Sequence, residues 1–492
     1  MEKGLVAPGI EWGDLAPLLI LLAGACAVLL CGSLLRGWSR TLTTSLTVAV
    51  SVSAAVGGAV QWERDSTVLG KYLVSDAILI DRFAALSIVL ICGSAAVVAL
   101  LLHAHLAGSP DDGVELQTLL LTGAIGGIVL AAANDLIVLF LGLEILSLSL
   151  YLLAASNRRR EQSQEAGLKY FVLGGFASAF LLYGIALVYG ATGSTSLDMI
   201  VVGLSGKARI NGSDTLLLVG IGLLLVGFAF KVSAAPFHVW TPDVYEGSPS
   251  PVTAFMASAG KVAAFVALMR VLVTGFERRV DDWRPAVWAL AVAAVVVGSL
   301  MAVTQSNVKR MLAYSSVSHA GFVLVGVEAA SHPGSDGLAS SGLYLVAYSV
   351  LVLGSFASVM VVAGQEDSAT SLADFAGLGR RRPALALAFS TLLLAQAGVP
   401  LTSGFVAKFG VIKSAVDAKS YAIAIIAMVA AVVGAYLYLR IMVSMWLDEP
   451  TDDSRPRVQR AVAIVVGLAV AFTLLVGFLP GWLLNATESL AR

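Results

Sequence analysis

Charged residues are scarce in this sequence of 492 residues. Only 13% are Asp, Glu, Lys or Arg, whereas a soluble domain carries about 25%. With 58% hydrophobic residues and a mean hydropathy of +0.88, the composition excludes a soluble enzyme and indicates a chain that crosses a membrane many times. The net charge of -1 leaves no basic surface for nucleic acid.

Cysteine is nearly absent as well. Cys26, Cys31 and Cys92 all lie in apolar runs, and their spacing suits neither an iron–sulfur cluster nor a zinc site. The sequence has no Walker motif, no GxGxxG after a strand and no HExxH. It begins without a signal-peptide pattern. These absences predict a chain that holds no metal or organic cofactor and draws its energy from a partner or an ion gradient.

Long apolar runs divide the chain into about fourteen predicted membrane-spanning helices. They cover roughly 15–35, 42–60, 78–102, 114–133, 135–155, 166–190, 215–245, 251–275, 285–304, 308–330, 339–363, 383–416, 421–446 and 460–484. An even number of spans places both termini on one side of the membrane. We therefore expect an all-α integral membrane protein.

Arginine clusters suggest the orientation of these spans. The totals of Lys and Arg on the two sides barely differ, but the triplets at 158–160 and 380–382 both follow odd-numbered spans. Basic residues concentrate in cytoplasmic loops, so the triplets predict which side is cytoplasmic. Both termini are then expected on the outer face.

The stretch 228–261 is the most polar part of the hydrophobic region, with two lysines, a histidine, two carboxylates and four of the 14 prolines. The low-charge run 215–245 around Lys231 would be roughly 46 Å long as one straight helix, against a hydrocarbon core of about 30 Å. Because proline removes a backbone hydrogen bond and clashes with the preceding turn, we predict that helix 7 breaks at Pro236.

A second long run resembles the first. Residues 383–416 also exceed one span, and AGVPLTSG with Pro400 interrupts them, 164 positions after Pro236. Interrupted helices in corresponding places of two halves indicate an inverted-repeat transporter and its site. Five helices per unit give the units opposite orientation. The predicted organisation is an N-terminal addition at 1–113, repeats at 114–275 and 285–446, and a C-terminal helix at 447–492.

Ionisable residues lie near the centres of several predicted spans, where an unused charge is expensive. Glu144, Lys231, Lys261 and His319 are central, and Lys408 comes about ten residues past the midpoint of helix 12, so that only the break can return it to mid-depth. Each group can gain or lose a proton, and separating a buried Glu–Lys pair changes both proton affinities. The row predicts proton transfer across the membrane plane.

Structural alternatives exist for each of these residues. A single lysine can extend its amine to the membrane interface, which applies most to Lys408. Glu144 can hold helices together, and His319 can be an ordinary helix-to-helix hydrogen bonder. His238, just after the first break, is either a relay group or a cap for freed carbonyl groups.

Four segments together are similar to one known family. LIVLFLGLEILSLSLYLLAA around Glu144, the block FKVSAAPFHVWTPDVYEGSPSPVTAFMASAGK, VKRMLAYSSVSHAGFVLVG, and LAQAGVPLTSGFVAKF resemble, in this order, the antiporter-like membrane subunits of respiratory complex I. The resemblance covers about 75–445 and is strongest to the subunit N type, because of PDVYEGSPSPVTAF and of a lysine, Lys408, where some sister subunits carry glutamate. The chain also ends soon after its last span, without the lateral helix of the most distal subunit.

This resemblance implies fourteen helices with two inverted five-helix repeats and broken helices 7 and 12. It implies that Glu144, Lys231, Lys261 and Lys408 form a proton channel, with His319 bridging two half-channels. NADH, flavin (FMN), iron–sulfur clusters and quinone would belong to partner subunits. The expected partners are other membrane subunits of the complex, including sister antiporter-like subunits, in a bacterial plasma membrane, and the chain would not function alone.

Other functions share the same residues. A subunit of a multisubunit cation/proton antiporter would have no redox partner, and a membrane subunit of a hydrogenase would have a different one. A purely structural membrane anchor predicts that neutralising the central charges leaves transport unchanged. The identity of the companion subunits separates these alternatives.

Overall fold

The computed structural model describes residues 11–35, 38–64, 70–107, 113–204, 214–450 and 456–490. Helices form almost all of this part of the chain. In the first half they are α1 (Ala16–Leu34), α2 (Arg40–Arg64), α3 (Arg82–His105), α4 (Val114–Ala132), α5 (Leu136–Ala154), α6 (Glu161–Thr192), α7 (Leu197–Val202), α8 (Asp214–Lys231), α9 (Trp240–Gly247), α10 (Ser250–Phe255) and α11 (Lys261–Met269). In the second half they are α12 (Val280–Thr304), α13 (Val308–Ala329), α14 (Gly337–Ala363), α15 (Leu378–Arg381), α16 (Pro383–Ala397), α17 (Ser403–Asp417), α18 (Tyr421–Leu447), α19 (Arg460–Phe478) and α20 (Gly481–Glu488).

Each of the fourteen predicted spans coincides with a helix or a pair of helices. Among the described residues, twelve helices are long and apolar enough to cross a membrane. The other two predicted spans are α13, whose polar residues lower its hydropathy, and the run of α16 and α17, which is divided in two. The prediction of an all-α membrane fold with about fourteen spans is confirmed.

A few boundaries differ from the sequence prediction. The third span begins at Arg82 and not at 78, because Ile78–Ile80 forms a short antiparallel hairpin with Lys71–Leu73. Asp81 then caps α3 by accepting a hydrogen bond from the backbone N–H of Ala84. The last predicted span also divides, into α19 and α20, at Pro480.

Both long runs are broken where proline occurs. The first run forms α8 and α9 with a non-helical segment between them, and the Ala235–Pro236 peptide bond is cis. The second run forms α16 and α17, separated by 398–402. The predicted breaks at Pro236 and Pro400 are therefore present.

The centre of the molecule consists of the helices that carry the second half of the predicted row. The continuous helical segment 250–275 is buried throughout its most apolar window, and every residue of α13 except Arg310 is buried. In contrast, about a third or less of the most apolar 18 residues are buried in α1, α2, α18 and α19. These helices form the periphery. Lys261 and His319 thus lie in the interior and not on a lipid-facing surface.

Side-chain caps fix the start of two helices that carry site residues. Asp135 caps α5 and Asn307 caps α13, each by accepting hydrogen bonds from the backbone N–H groups of the first turn. Each capping residue also forms a β-bridge with a residue two helices later. Asp135 pairs with Ser196 after α6, and Asn307 pairs with Ser371 after α14. The boundaries of the two repeats stay a prediction.

Candidate functional site

Three lysines of the predicted row are buried without a counter-ion in the part of the chain that the structure describes. The exposed fraction is 6% for Lys231, 2% for Lys261 and 7% for Lys408. Each Nζ donates one hydrogen bond and lies 5.0–5.7 Å from an aromatic ring centre. Within the described residues none has a carboxylate oxygen within 4.0 Å. Since an ammonium group has three donor hydrogens, each retains donors for water or for another proton acceptor.

Lys231 is the last residue of α8 and lies at the first break. Its Nζ donates a hydrogen bond of 2.7 Å to Oγ of Ser147 on α5 and lies 5.7 Å from the ring centre of Tyr170. The carbonyl groups that end a helix carry partial negative charge, which favours a cation here. A small cavity lined in part by Ser147, Tyr151 and Lys231 supplies the polar groups that a bound water needs.

Glu144 approaches this lysine but does not contact it. The carboxylate is half-buried on α5, three residues before Ser147. Its Oε1 is buried and has no hydrogen-bond partner among the described residues, and no ion pair within 4.0 Å joins it to Lys231, although the two charges interact over a longer distance. Ser147, and not Glu144, is the direct partner of Lys231 in this structure.

Lys261 contacts α13, the helix that carries His319. It follows a π-helical turn, Met256–Gly260, of the kind that is frequent at functional sites. Its Nζ donates a hydrogen bond of 2.5 Å to the backbone carbonyl of Ser316 on α13. The Oγ of the same serine accepts a hydrogen bond of 2.8 Å from Tyr348 of α14, whose ring centre is 5.7 Å from Lys261.

His319 is held between two tyrosine hydroxyl groups. Its Nδ1 lies 2.7 Å from the hydroxyl of Tyr344 on α14, and its Nε2 lies 3.1 Å from the hydroxyl of Tyr438 on α18. Tyr438 in turn lies 2.6 Å from Oγ of Ser315. A neutral imidazole has one donor and one acceptor nitrogen, so one hydroxyl donates to the ring and the other accepts from it. This arrangement can pass a proton through the ring.

The second break determines where the amine of Lys408 lies. Gly398 ends α16 in the left-handed region at φ +91°, and the carbonyl of Ala397 next to it accepts a hydrogen bond of 3.0 Å from Nζ of Lys408. The side chain, on α17, is buried and reaches back to the break. His319, Lys408 and Tyr438 line one small cavity.

The first break satisfies its freed backbone groups locally. The indole N–H of Trp240 donates a hydrogen bond of 3.0 Å to the carbonyl of Phe230. Pro236 itself is exposed and His238 is half-buried. Nδ1 of His238 is buried, and the ring lies next to the backbone of Pro236, so both roles of His238, relay group and cap, stay predictions.

A fully buried ion pair, Lys309 with Asp367, lies outside the predicted row, and Arg160 is 4.0 Å from the same carboxylate. Lys309 and Asp367 are 0% and 1% exposed, and their Nζ and Oδ2 atoms are 2.8 Å apart. Asp367 also accepts hydrogen bonds from the backbone N–H and the hydroxyl of Ser250. Burial alone would raise the pKa of Asp367, but the charges of Lys309 and His105 and the hydrogen bonds from Lys309 and Ser250 lower it below its usual value. This lysine, unlike the three in the row, is fully neutralised.

Sequence reasoning missed the hydroxyl groups that lie beside Lys231, Lys261 and His319. Ser147, Tyr344, Tyr348 and Tyr438 are ordinary residues of membrane helices, and their partners are distant in sequence. The one available signal was the spacing of Tyr344 and Tyr348, which places both on one face of a helix. No group of three or more His, Cys, Asp or Glu residues in the described part of the chain could hold a metal ion.

Comparison with known sequences identifies the family. The model of the transmembrane family NADH:quinone oxidoreductase/Mrp antiporter matches residues 133–434. NADH-quinone oxidoreductase subunit N 3 of Streptomyces griseus is 46% identical over 384 residues, 75% of this chain and 68% of that protein. Subunit N of Saccharopolyspora erythraea is 40% identical over 511 residues, which cover 97% of both chains.

Solved structures have the same fold. A chain of respiratory complex I from Thermus thermophilus superposes with a TM-score of 0.79 at 33% identity, over 96% of this chain and 99% of that one. A chain of the Mrp complex from Dietzia gives a TM-score of 0.86 over 98% and 97%, but at 22% identity it shows the fold alone. The chain therefore belongs to the NADH:quinone oxidoreductase/Mrp antiporter family of membrane subunits and, within it, to the NADH-quinone oxidoreductase subunit N proteins.

Proposed function

We propose that this chain translocates protons as a membrane-arm subunit of a bacterial NADH:quinone oxidoreductase. The observation that carries the proposal is the set of three buried lysines without a counter-ion among the described residues, with hydroxyl groups and a histidine nearby. A buried lysine that served only the fold would be paired, as Lys309 is. An unpaired one is costly and is suited to gaining and losing a proton.

Glu144 and Lys231 form the switchable pair at the first break. Both Ser147 and Glu144 belong to α5, one turn apart, so the amine of Lys231 can exchange a neutral hydroxyl partner for a carboxylate with a small movement. Contact with Glu144 stabilises the charged lysine, and return to Ser147 releases that stabilisation. His238, half-buried at the first break, is a secondary candidate for proton transfer to this pair.

Lys261 and His319 relay the proton towards the second half. A proton can leave Lys261 through water and the hydroxyl of Tyr348, and it can enter the His319 ring from Tyr344. The ring releases a proton from its other nitrogen to Tyr438, which faces the cavity that Lys408 lines. Lys408 then exchanges the proton with the outer half-channel.

Moving one charge against a membrane potential of 100 mV requires about 2.3 kcal/mol. This chain contains no motif for a redox cofactor, so we assign NADH, FMN, the iron–sulfur clusters and quinone to partner subunits. The energy would reach the row through conformational or electrostatic change at Glu144 and Lys231. The chain works with other membrane subunits and would not pump alone.

Two inverted repeats, 114–275 and 285–446, fit this mechanism. Similar caps and β-bridges at Asp135 and Asn307 support the repeat, as does a break in each unit. The arginine triplets support an orientation with both termini on the outer face of the bacterial plasma membrane. Glu144 and Lys408 would then belong to different half-channels.

The principal alternative is a subunit of a cation/proton antiporter, which the fold of the Mrp chain makes worth testing. Copurification separates the two. If this chain is extracted gently and brings down flavin and iron–sulfur subunits with NADH:quinone activity, the proposal stands. If only small membrane proteins accompany it, without redox activity, the same lysines serve cation exchange and the proposal is wrong.

A further inference from the structure

A buried carboxylate lies at the end of α13 that faces away from the arginine triplets. Glu328 is 2% exposed and is the second-last residue of the helix. Its Oε1 accepts a hydrogen bond of 2.8 Å from Oγ of Ser420, the residue before α18. Sequence analysis did not select it, because a carboxylate at the end of a predicted span is usually a solvated one.

The second oxygen of this carboxylate is unsatisfied. Oε2 of Glu328 is buried and has no hydrogen-bond partner among the described residues. Leaving a buried acceptor unpaired costs about 1–3 kcal/mol, and more for a charged group. A carboxylate that served only to fasten α13 to α18 would be expected to satisfy both oxygens, so the free one indicates a group that accepts a proton or an ordered water.

An imidazole connects this carboxylate to the solvent. Nε2 of His332 lies 3.4 Å from Oε1 of Glu328 and 3.4 Å from Oγ of Ser420. The His332 side chain is 28% exposed, against 3% for Glu328. Within the described residues no lysine or arginine lies within 4.0 Å of Glu328, so no fixed positive charge prevents its protonation.

Glu328 and His332 come after His319 along the chain, near the end of α13. Glu328 follows His319 by nine residues on the same helix, which is about 14 Å along the axis. The helix start that carries Ser420 belongs to α18, which also carries Tyr438. The cavity of Lys408 is bordered by α12, α13, α17 and α18, and on α13 its lining ends at Phe322. Glu328 therefore lies further along α13, towards the face opposite the arginine triplets.

We infer that Glu328 and His332 form a proton-release site at the outer end of the second half-channel. The inference rests on the proposed function and adds to it the group that delivers the proton to the outside. A proton arriving at the free Oε2 converts the carboxylate to a carboxylic acid. Rotation of the carboxyl group brings this O–H to Nε2 of His332, which takes the proton. The imidazolium then gives it to water, and both groups return to their starting states.

The test uses the intact respiratory complex in inverted membrane vesicles, with the number of protons moved per NADH oxidised as the readout. The number of protons per NADH that is lost in Lys231→Ala defines the share that this subunit contributes to pumping by the whole complex. We expect Glu328→Gln to lose the same share, since glutamine keeps the shape and the Ser420 hydrogen bond but cannot carry the proton. Glu328→Asp, which keeps the acid, should retain at least part of the share.

Asp417→Asn is the matched control. Asp417 is an exposed carboxylate at the same end of the protein and pairs with Lys413 four residues before it, just as Glu328 pairs with His332 four residues after it. If Glu328→Gln moves as many protons per NADH as this control does, the inference is overturned. If Lys231→Ala moves the normal number of protons per NADH, the proposed function is overturned instead. If Glu328→Gln does not assemble, His332→Gln decides, because its partly exposed side chain tolerates replacement. A normal number of protons per NADH there also rejects the site.

Discussion

Lys231 donates its hydrogen bond to Ser147, while Glu144, one turn before Ser147 on α5, has no partner for Oε1 among the described residues. The neutral hydroxyl holds the amine apart from the carboxylate with which it would otherwise pair. A small movement of α5 or α8 exchanges one partner for the other. The difference between the two contacts is electrostatic, so it changes the proton affinity of both titratable groups.

Lys231→Ala removes the group that this exchange requires. We expect proton transfer through this subunit to fall by at least about 100-fold, as for loss of a positioned acid or base, with assembly of the complex largely intact. Proton pumping and the amount of assembled complex are measured together. Lys413→Ala is the control, because this lysine is exposed and paired only with Asp417. Normal pumping by an assembled Lys231→Ala complex contradicts the channel assignment.

Ser147→Ala tests the neutral partner. A typical hydrogen bond contributes about 1 kcal/mol, which corresponds to a change of about fivefold in the balance between the two positions of the amine. We expect pumping to be reduced several-fold and not abolished. Ser149→Ala, a serine on the same helix that bonds only to a backbone carbonyl, should pump as the parent does. Equal behaviour of the two variants would show that Ser147 has no such role.

Tyr438→Phe removes one hydroxyl from the relay and little else. Its hydroxyl contacts both His319 and Ser315, so its loss interrupts the path from the imidazole to the cavity of Lys408. Pumping should fall by about tenfold or more. Tyr436→Phe is the matched control, two residues earlier and 56% exposed. If both variants pump equally well, the relay does not pass through Tyr438.

The sequence was sufficient for the spans, the two breaks and the buried lysines, because hydropathy, proline and the cost of intramembrane charge act locally. It was not sufficient to predict which groups the lysines and His319 contact. Lys408 reaches the carbonyl of Ala397 only because the chain turns at Gly398, and no residue pattern describes that direction. Tyr438 and His319 are 119 positions apart, so only the packing of α13 against α18 brings them together.

The burial of Asp367 could not be predicted from the sequence for a different reason. It lies in a loop after α14, where a carboxylate is normally solvated, and its burial results from contacts with α10 and α13. Hydropathy treats such a residue as surface. Its discovery therefore required the structure, as did the free oxygen of Glu328.

Gly398→Ala tests the backbone turn that positions Lys408. A residue with a side chain in the left-handed region costs about 1–2 kcal/mol, and a Cβ on Gly398 would lie 2.9 Å from Cδ of Lys408. We expect lower stability and reduced pumping, because the lysine must move away from the Ala397 carbonyl. Gly410→Ala, whose added Cβ meets only ordinary contacts, should be neutral or slightly stabilising. A stable, fully active Gly398→Ala complex would mean that the turn does not determine the lysine position.

We expect substitutions in the Lys309–Asp367 pair to change stability, whereas substitutions of the three lysines of the row should change proton pumping. The reason is that the role of the pair is structural. Lys309→Met or Asp367→Asn alone leaves a buried charge or unsatisfied donors and should destabilise by about 3–5 kcal/mol, whereas the double variant should recover most of this loss. The exposed Lys413–Asp417 pair, analysed in the same way, should show a coupling of about 0.3–0.5 kcal/mol. Thermal disassembly of the purified complex measures both pairs.

The pH dependence of the same pair follows from the lowered pKa of Asp367. A depressed folded-state pKa contributes stability that is present above the unfolded value, about 3.9, and is lost as the pH falls through the folded value. The stability difference between the parent and Asp367→Asn should therefore be constant from about pH 8 to pH 5 and shrink only in stronger acid. Thermal disassembly of both complexes across this range provides the measurement. A difference that already disappears between pH 7 and pH 5 would show that Lys309 does not hold Asp367 in its charged form.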